Sequence, residues 1–184
     1  ITYYLKALKI SKTLNNDTLI GSSYNDIAIC YTDLSNSEKA LDNYKKALRS
    51  FHKANFQKGV YYVLHNLSDL YLNIGDYELA KELMDSSLAR GLRKNNQYVI
   101  PSALFSIAEI YRLQKDYIRA MDYNLKSLSY LRKADYNLLT PSVFLSMGQI
   151  FFEEEIWDSC AYYLNKAIVI FEKQGIKGDL TAAL

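Results

Sequence analysis

The chain has few of the residues that break or cross-link regular structure. Its 184 residues include 7 glycines and 2 prolines, well below the usual share, which excludes collagen-like and turn-rich β architectures. Its two cysteines are too few for a disulfide scaffold. Cys30 and Cys160 stand among apolar residues in the interior of predicted helices, where a small apolar side chain packs well. We therefore expect both cysteines to serve as core residues.

Strong charge of one sign and long apolar runs are also lacking. Lys and Arg number 22 against 20 Asp and Glu, which leaves a net charge of +2 and gives no sign of a polyanion-binding protein. The longest apolar stretches are interrupted by Pro101, Glu109 or Lys166, so no membrane-spanning segment is predicted. Apolar residues make up 49% of the chain and charged residues 23%, which indicates a folded domain rather than a disordered one.

Motifs that carry catalysis or hold cofactors are missing from the sequence. It has no glycine-rich phosphate loop and no paired C-x2-C, and its two histidines, His52 and His65, have no ligand partner at helical spacing. His65 lies near Ser68 and Asp69, but proximity on one helix does not make a catalytic triad. We predict a non-catalytic protein without cofactor or metal. A phosphatase-like activity that uses Asp69 or His65 is the alternative of another class.

Internal repetition is the strongest signal in the chain. One column of small residues recurs at a constant period of 40, and an aromatic column recurs at the same period a short distance upstream. Large, large, small and aromatic residues at spacings i, i+3, i+4 and i+7 place each upstream group on one face of a helix. Each repeat therefore predicts two helices. The two columns are Ala40, Ala80, Ala120 and Cys160, and Tyr31, Tyr71, Tyr111 and Phe151.

Breaks between the predicted helices fall at matching positions. Ser35-Asn36, Gly75-Asp76 and Lys115-Asp116 separate the two helices of successive repeats, and their second residues are preferred N-caps. Further turns are predicted at Asn55, Asn95 and Asp135. The second helices end in basic residues, which favour the helix C-terminus electrostatically. These are Lys53, Arg93, Lys133 and Lys173.

This pattern resembles the tetratricopeptide repeat (TPR), whose signature is W-x2-L-G-x2-Y followed by A-x3-F and a proline. The segment Leu64 to Leu88 is the closest copy and includes Gly75, Asp76 and Tyr77 at its hairpin. The period is 40 rather than 34, and the terminal proline is missing, which a longer second helix explains. HEAT and armadillo repeats have periods near 40, but they lack these aromatic and alanine columns.

The resemblance implies an all-α fold: a right-handed superhelical solenoid of antiparallel helix pairs. We predict a single array in which the first and last segments belong to incomplete repeats, because helical spacing is already running at both ends. The predicted segments are 1–14 (end of a preceding repeat), 15–54, 55–94, 95–134 and 135–174 (four repeats), and 175–184 (start of a further helix).

By analogy with the family, positions two, five, six, nine and twelve of each motif line a concave groove. In the first motif these positions hold Ser22, Asn25, Asp26, Ile29 and Thr32. Across the repeats they mix aromatic, apolar and separated polar side chains, which is typical of a binding surface. The candidate groove residues are Asn25, Tyr62, His65, Asn66, Asp69, Phe105, Glu109, Arg112, Leu145, Gln149 and Phe152.

The resemblance favours recognition of a protein or peptide. The motifs lack the Lys and Asn pattern of TPRs that bind carboxylate termini, and Asp69 and Glu109 would repel such a terminus. These two acidic residues indicate either that the ligand is a neutral or basic peptide, or that Arg112 pairs with an acidic residue within the protein. The long repeats and their local sequences are similar to those in the sensory or scaffolding region of longer bacterial signalling and transcription regulators.

The sequence leaves two alternative functions. One is a peptide-responsive regulator of the Rap/PlcR type, and the other is a self-association module, such as a homodimer. The cytoplasm is the favoured compartment, and the periplasm is the alternative. We expect no direct contact of this segment with nucleic acid.

Overall fold

A computed structural model describes residues 1–134 and 138–173. Within them the chain folds into α-helices joined by short turns. The helices are α1 (Thr2–Thr13), α2 (Asp17–Asp33), α3 (Ser37–Lys53), α4 (Gln57–Asn73), α5 (Tyr77–Arg93), α6 (Val99–Leu113), α7 (Tyr117–Ala134), α8 (Thr140–Glu153) and α9 (Trp157–Lys173). We call α2, α4, α6 and α8 the first-type helices, and the others the second-type helices. Each predicted repeat holds one helix of each type, while residue 135 and the segment 175–184 lie outside the described residues.

The turns are built alike. In the turns that follow α1 to α6 and α8, the second residue after the helix has a positive φ, which is a left-handed backbone conformation. The next residue then donates its N–H to a carbonyl five residues earlier, as Asn36 does to Tyr31 at 2.8 Å and Asp76 to Tyr71 at 2.8 Å. These left-handed residues are Asn15, Ser35, Asn55, Gly75, Asn95, Lys115 and Glu155.

The predicted N-caps are confirmed. The side chains of Asn36, Asp76 and Asp116 accept hydrogen bonds from backbone N–H groups three residues later, at 3.0–3.1 Å. Asn16 caps α2 in the same way, through the N–H of Leu19 at 3.1 Å. One residue thus closes the preceding turn and begins the next helix, which explains why a three-residue connection suffices.

The helices form two compact units, unit N (Ile1–Leu83) and unit C (Met84–Leu184), and α5 contributes residues to both. In unit N, α2 packs against α1, α3 and α4, and α3 packs against α4. In unit C, α6 packs against α7 and α8, and α8 packs against α7 and α9. Antiparallel neighbours joined by short turns are the arrangement that the repeat predicts.

Small residues allow the helices to approach closely. Ala40, Ala80 and Ala120 are completely buried. In unit N the buried Ser68 donates its hydroxyl to the carbonyl of Ala80 at 3.3 Å, so the small columns of two helices meet directly. At Gly148 of unit C, an added Cβ would lie 2.7 Å from Leu164 Cδ2. Larger side chains at these crossings would push the helices apart.

Candidate functional site

Unit N contains an open cavity of about 490 Å³ on the side that the motif positions predict to be inner, which we call the inner face of the unit. It lies between the first-type helices α2 and α4, and the end of α3 and the α3–α4 turn form its floor. The predicted groove residues Asn25, Tyr62 and Asn66 line it, together with Asp26, which also stands at a predicted inward position. The complete lining is Ser22, Asn25, Asp26, Ile29, Phe51, Phe56, Lys58, Gly59, Tyr62 and Asn66.

Two glycines shape the floor of this cavity. A Cβ on Gly21 of α2 would lie 2.6 Å from the ring of Phe51, and a Cβ on Gly59 of α4 would also lie 2.6 Å from it. The ring is therefore held between two helix backbones, and the centroid of Phe56 lies 5.6 Å away. The absence of both side chains lets an aromatic residue from α3 reach the cavity. The floor is apolar and conformationally restricted.

Polar groups surround the cavity above this floor. The Asn66 amide nitrogen donates to the Asn25 amide oxygen at 2.9 Å, which connects α2 and α4 across the cavity. Tyr62 is 55% exposed, and the Lys58 ammonium lies 5.7 Å from the centroid of its ring. An exposed aromatic beside hydrogen-bonding amides is a common composition for a recognition surface.

Asp26 is the carboxylate without a countercharge in this cavity. It makes no ion pair with the described residues, although Lys58 lines the same space. Partial burial raises the pKa of Asp26, and a hydrogen bond from Asn25 opposes that effect. A cation entering the cavity would relieve the unfavourable desolvation of this carboxylate.

His65 and Asp69 lie on α4 outside the cavity lining, His65 directly before Asn66 in sequence and Asp69 about one turn after it. His65 Nδ1 is 3.1 Å from Asp69 Oδ2, and both side chains are about half exposed. The hydrogen bond with Asp69 raises the pKa of His65, while burial acts in the opposite direction. No described residue completes a nucleophile–base pair with them, and the described residues contain no group of three or more metal-ligating side chains.

The inner face of unit C differs because its charged groups pair with one another. Arg112 donates to Glu109 at 3.0 Å and to Glu153 at 2.8 Å, and Tyr117 donates to Glu153 at 2.7 Å. Burial lowers the pKa of Arg112, but the two carboxylates outweigh this effect and the pKa is raised. Arg112 is paired internally, which was one of the two interpretations of the acidic groove positions.

A buried extension of this cluster reaches into the core. Ser146 donates its hydroxyl to Glu109, and the fully buried Asn124 donates its amide to Ser146 Oγ at 2.9 Å. The amide oxygen of Asn124 is buried and has no hydrogen-bond partner among the described residues. The chain of bonds from Asn124 to Glu109 holds the inner polar groups of unit C in one arrangement.

The remaining candidate residues of unit C are dispersed. Phe105 and Leu145 are partly buried and pack against a core cluster that includes Met147 and Phe171. Gln149 is half-buried, whereas Phe152 is 60% exposed and meets Trp157 edge-on with ring centroids 5.7 Å apart. The structure thus brings Asn25, Tyr62 and Asn66 together at one cavity, whereas the candidates of unit C differ from one another in burial and in contacts.

Sequence reasoning did not select four residues of the unit N cavity. Phe51 belongs to a second-type helix, and Phe56, Lys58 and Gly59 belong to the turn and the start of α4, outside the inward positions of the motif. A signal was available in Gly21 and Gly59, because a glycine inside a helical pattern usually has a packing reason.

Two segments of the chain match a known family of helical repeats. Residues 21–50 and 61–89 each match the family model described as tetratricopeptide repeat. The chain contains tetratricopeptide repeats. The all-α TPR fold that the resemblance implied is confirmed.

Solved structures share this TPR fold at low sequence identity. Aspartyl phosphate phosphatase F from Bacillus subtilis superposes with a TM-score of 0.82 at 13% identity, over 99% of this chain and 48% of that one. The apo form of RapI gives a TM-score of 0.73 at 14% identity, over 94% and 48%. BtubC (BKLC) from P. vanneervenii gives 0.70 at 17%, over 95% and 72%. The chain therefore spans about half the length of the first two proteins. No curated protein matches it by sequence.

The fold and these repeats support a protein-binding helical-repeat module. In the part of the chain that the structure describes, no helix is both long enough and apolar enough to cross a lipid bilayer.

Proposed function

We propose that the inner face of unit N binds an extended peptide or protein segment that carries a basic side chain. The observation that carries this proposal is the cavity between α2 and α4, in which the unpaired Asp26 stands above an apolar floor. A Lys or Arg side chain suits this arrangement, because its alkyl part can cover Phe51 and Phe56 while its charged end reaches the carboxylate.

The other polar groups suit the backbone of such a ligand. Asn25 and Asn66 each have remaining hydrogen-bonding capacity beyond the bond that they share and the bond from Asn25 to Asp26. Tyr62 offers an exposed ring at the rim. The charged groove residues of unit C pair internally, so in this proposal they support the fold rather than select the ligand.

In the wider protein, we propose that this module serves as the non-catalytic sensory or scaffolding part of a longer bacterial signalling or transcription regulator. A peptide-responsive regulator of the Rap/PlcR type is the most specific form of this proposal. It is supported by the likeness in fold to RapI and phosphatase F. The name of phosphatase F describes that protein; here Ser68, the hydroxyl residue next to Asp69, is buried and donates to the carbonyl of Ala80.

A peptide titration tests the binding proposal. Short synthetic peptides with one Arg at varied positions would be screened for binding by fluorescence anisotropy, and each active peptide would be compared with its neutral citrulline analogue. We expect citrulline to weaken binding to the unchanged protein by about tenfold, as loss of a charged hydrogen bond does. In Asp26→Asn the Arg and citrulline peptides should bind alike.

The matched control is Asp33→Asn, which removes one carboxylate from the exposed end of the same helix. It should leave the preference for Arg unchanged. Equal binding of the Arg and citrulline peptides to the unchanged protein would refute the role of Asp26, and so would loss of the preference in the control.

Self-association is a second candidate, favoured by the exposed pair of Phe152 and Trp157 at the α8–α9 turn. Trp157 is 58% exposed and Ile156 beside it is 45% exposed, so three large apolar side chains meet solvent together. Exposed aromatic residues of this kind often mark contact surfaces. Sedimentation should then show a concentration-dependent dimer that Trp157→Ala weakens. A monomer at all concentrations would exclude this candidate.

A further inference from the structure

The unit N cavity contains two opposite charges that do not pair. Among the described residues that line it, Asp26 of α2 and Lys58 of α4 carry the charge. No ion pair joins them, and neither forms an ion pair with any other described residue. A volume of about 490 Å³ corresponds to a space about 10 Å across, close to the Debye length at physiological ionic strength. A ligand in the cavity is therefore exposed to the fields of both charges.

Neither charge is a fixed feature of the repeat. Every matching position in the other repeats, at the period of 40, holds an uncharged residue. These residues are Thr18, Tyr98 and Leu138 for Lys58, and Asn66, Ser106 and Ser146 for Asp26. The packing of the repeat therefore does not account for either charge.

Hydrogen bonds hold Asp26 at the level of Asn66. The Asn66 amide donates to the Asn25 amide oxygen at 2.9 Å, and Asn25 in turn donates to the Asp26 carboxylate. The carboxylate therefore lies beside the amide bridge that connects α2 and α4.

The Lys58 ammonium lies about one helical turn away from that level. Its side chain is exposed, and the ammonium is 5.7 Å from the centroid of the Tyr62 ring. Tyr62 precedes Asn66 by one turn of α4, about 6 Å along the helix axis. Lys58 belongs to the first turn of α4, where neither an acidic residue nor a side-chain cap offsets the positive end of the helix. The positive and negative charges of the cavity are thus displaced along α4.

An extended peptide matches this displacement. Side chains two residues apart point to the same side of an extended chain and are about 7 Å apart. A basic side chain that reaches Asp26 therefore brings the side chain two residues away close to Lys58. A second basic residue there would be repelled, whereas an acidic residue would give the ammonium its missing partner.

From this arrangement we propose that Lys58 selects ligands in which an acidic side chain lies two residues from the basic one, on the same side of an extended segment. This selection depends on the proposed function, because the basic side chain must occupy Asp26 for the acidic one to reach Lys58. The ligand class narrows from a basic peptide to a segment with two opposite charges, which compensate the two charges of the cavity.

The test uses blocked peptides in which these two side chains are the sole charges. Acetylated and amidated heptapeptides with Arg-Ala-Glu or Glu-Ala-Arg at the centre would be compared by fluorescence anisotropy with analogues that carry Gln in place of Glu. We expect one order to bind about three- to fivefold more tightly than its Gln analogue, as is usual for partly exposed ion pairs. This gain should decrease as salt rises from about 50 to about 300 mM. A peptide with adjacent Arg and Glu, whose side chains point to opposite sides, should show no gain.

Two variants separate the roles of the two charges. Lys58→Met should abolish the difference between the Glu and Gln peptides, while Arg should still bind more tightly than citrulline. Asp26→Asn should abolish the preference for Arg over citrulline and retain the difference between Glu and Gln. Unchanged circular dichroism spectra would show that both variants keep the fold.

The matched control is Lys39→Met. Lys39 is an exposed lysine in the first turn of α3, and its ammonium lies 5.4 Å from the centroid of the Tyr31 ring, but it is outside the cavity lining. The control thus removes the same charge and the same kind of contact as Lys58→Met. It should leave both preferences unchanged.

Four results would overturn this selection by Lys58. They are equal binding of the Glu and Gln peptides in both orders, a Glu preference that persists in Lys58→Met, its loss in Lys39→Met, and a gain that requires a free terminal carboxylate in place of the amidated end. If Arg still binds more tightly than citrulline in these cases, the proposed function survives and only the role of Lys58 fails. If citrulline binds as tightly as Arg, or no Arg peptide binds, both fail.

Discussion

At the scale of single residues, one aromatic ring gives unit N its cavity. Phe51 can point between α2 and α4 only because Gly21 and Gly59 lack side chains there. The equivalent position in α7 holds Leu131, which is buried in the core of unit C. A cavity thus arises where large and small residues exchange places within an otherwise regular helical repeat.

The pair of His65 and Asp69 gives a prediction about pH. The hydrogen bond with Asp69 raises the pKa of His65 above its ordinary value of 6.5, so the folded protein holds this proton more tightly than the unfolded chain. The pair therefore contributes fully below about pH 6.5, and its contribution is lost as pH rises through the raised pKa. An NMR titration of the imidazole should show that raised pKa, and Asp69→Asn should lower it. An unchanged pKa in Asp69→Asn would contradict the assignment.

At the scale of helices, the start of α9 departs from the rule that the other second-type helices α3, α5 and α7 follow. Asn36, Asp76 and Asp116 cap their helices with a side-chain oxygen, whereas Ile156 occupies the same place before α9. The carbonyl of Ile156 accepts the N–H of Cys160 at 3.0 Å, so the helix begins normally without a side-chain cap. An apolar residue at this place weakens the helix start and adds to the exposed apolar surface of the turn.

Restoring the cap should stabilise unit C. In Ile156→Asn, the amide oxygen can accept an N–H of the first turn, which is worth about 1 kcal/mol. Urea unfolding should show a higher midpoint with an unchanged slope. Ile156→Ala serves as the control, because it removes the apolar side chain without providing an acceptor. If both variants shift the midpoint equally, the effect does not come from capping.

The sequence predicts features that depend on neighbouring residues better than features that depend on contacts between helices. Caps and turns depend on a few adjacent residues, so Asn36 and Asp76 were predictable. The cavity depends on Phe51 meeting one glycine of the preceding helix and one of the following helix, and no local pattern reveals those contacts. The pairing of Arg112 with Glu153 joins two helices in the same way, so the motif could place Arg112 on the inner face but could not show that it is already occupied.

At the scale of the whole chain, repeat proteins are stabilised by contacts between neighbouring helices. In unit C, for example, α8 contacts α6, α7 and α9 among the described helices. A local defect should therefore have local effects.

Gly59→Ala tests this expectation. The added methyl group overlaps the clamped ring of Phe51, and overpacking of this kind destabilises a protein by about 1–3 kcal/mol, more than the gain in helix propensity. Hydrogen-exchange mass spectrometry should show faster exchange in peptides from α2, α3 and α4 and little change in α8 and α9. Phe51→Leu in the Gly59→Ala background should restore part of the protection. Uniform acceleration along the chain would instead indicate one cooperative unit.

From α1 to α6 a left-handed turn residue follows every helix, and another follows α8; their spacing along α1 to α6 is half that of the small and aromatic columns, which recur once per pair of helices. The same turn therefore follows helices of both types, and only the columns of small and aromatic residues distinguish the two types. Loss of a single helix and its turn from the gene would leave every remaining turn intact but would bring two helices of the same type together. Loss or duplication of a complete two-helix repeat preserves both patterns. Descendants of this array should accordingly differ in length by even numbers of turns, and odd differences should be eliminated by selection.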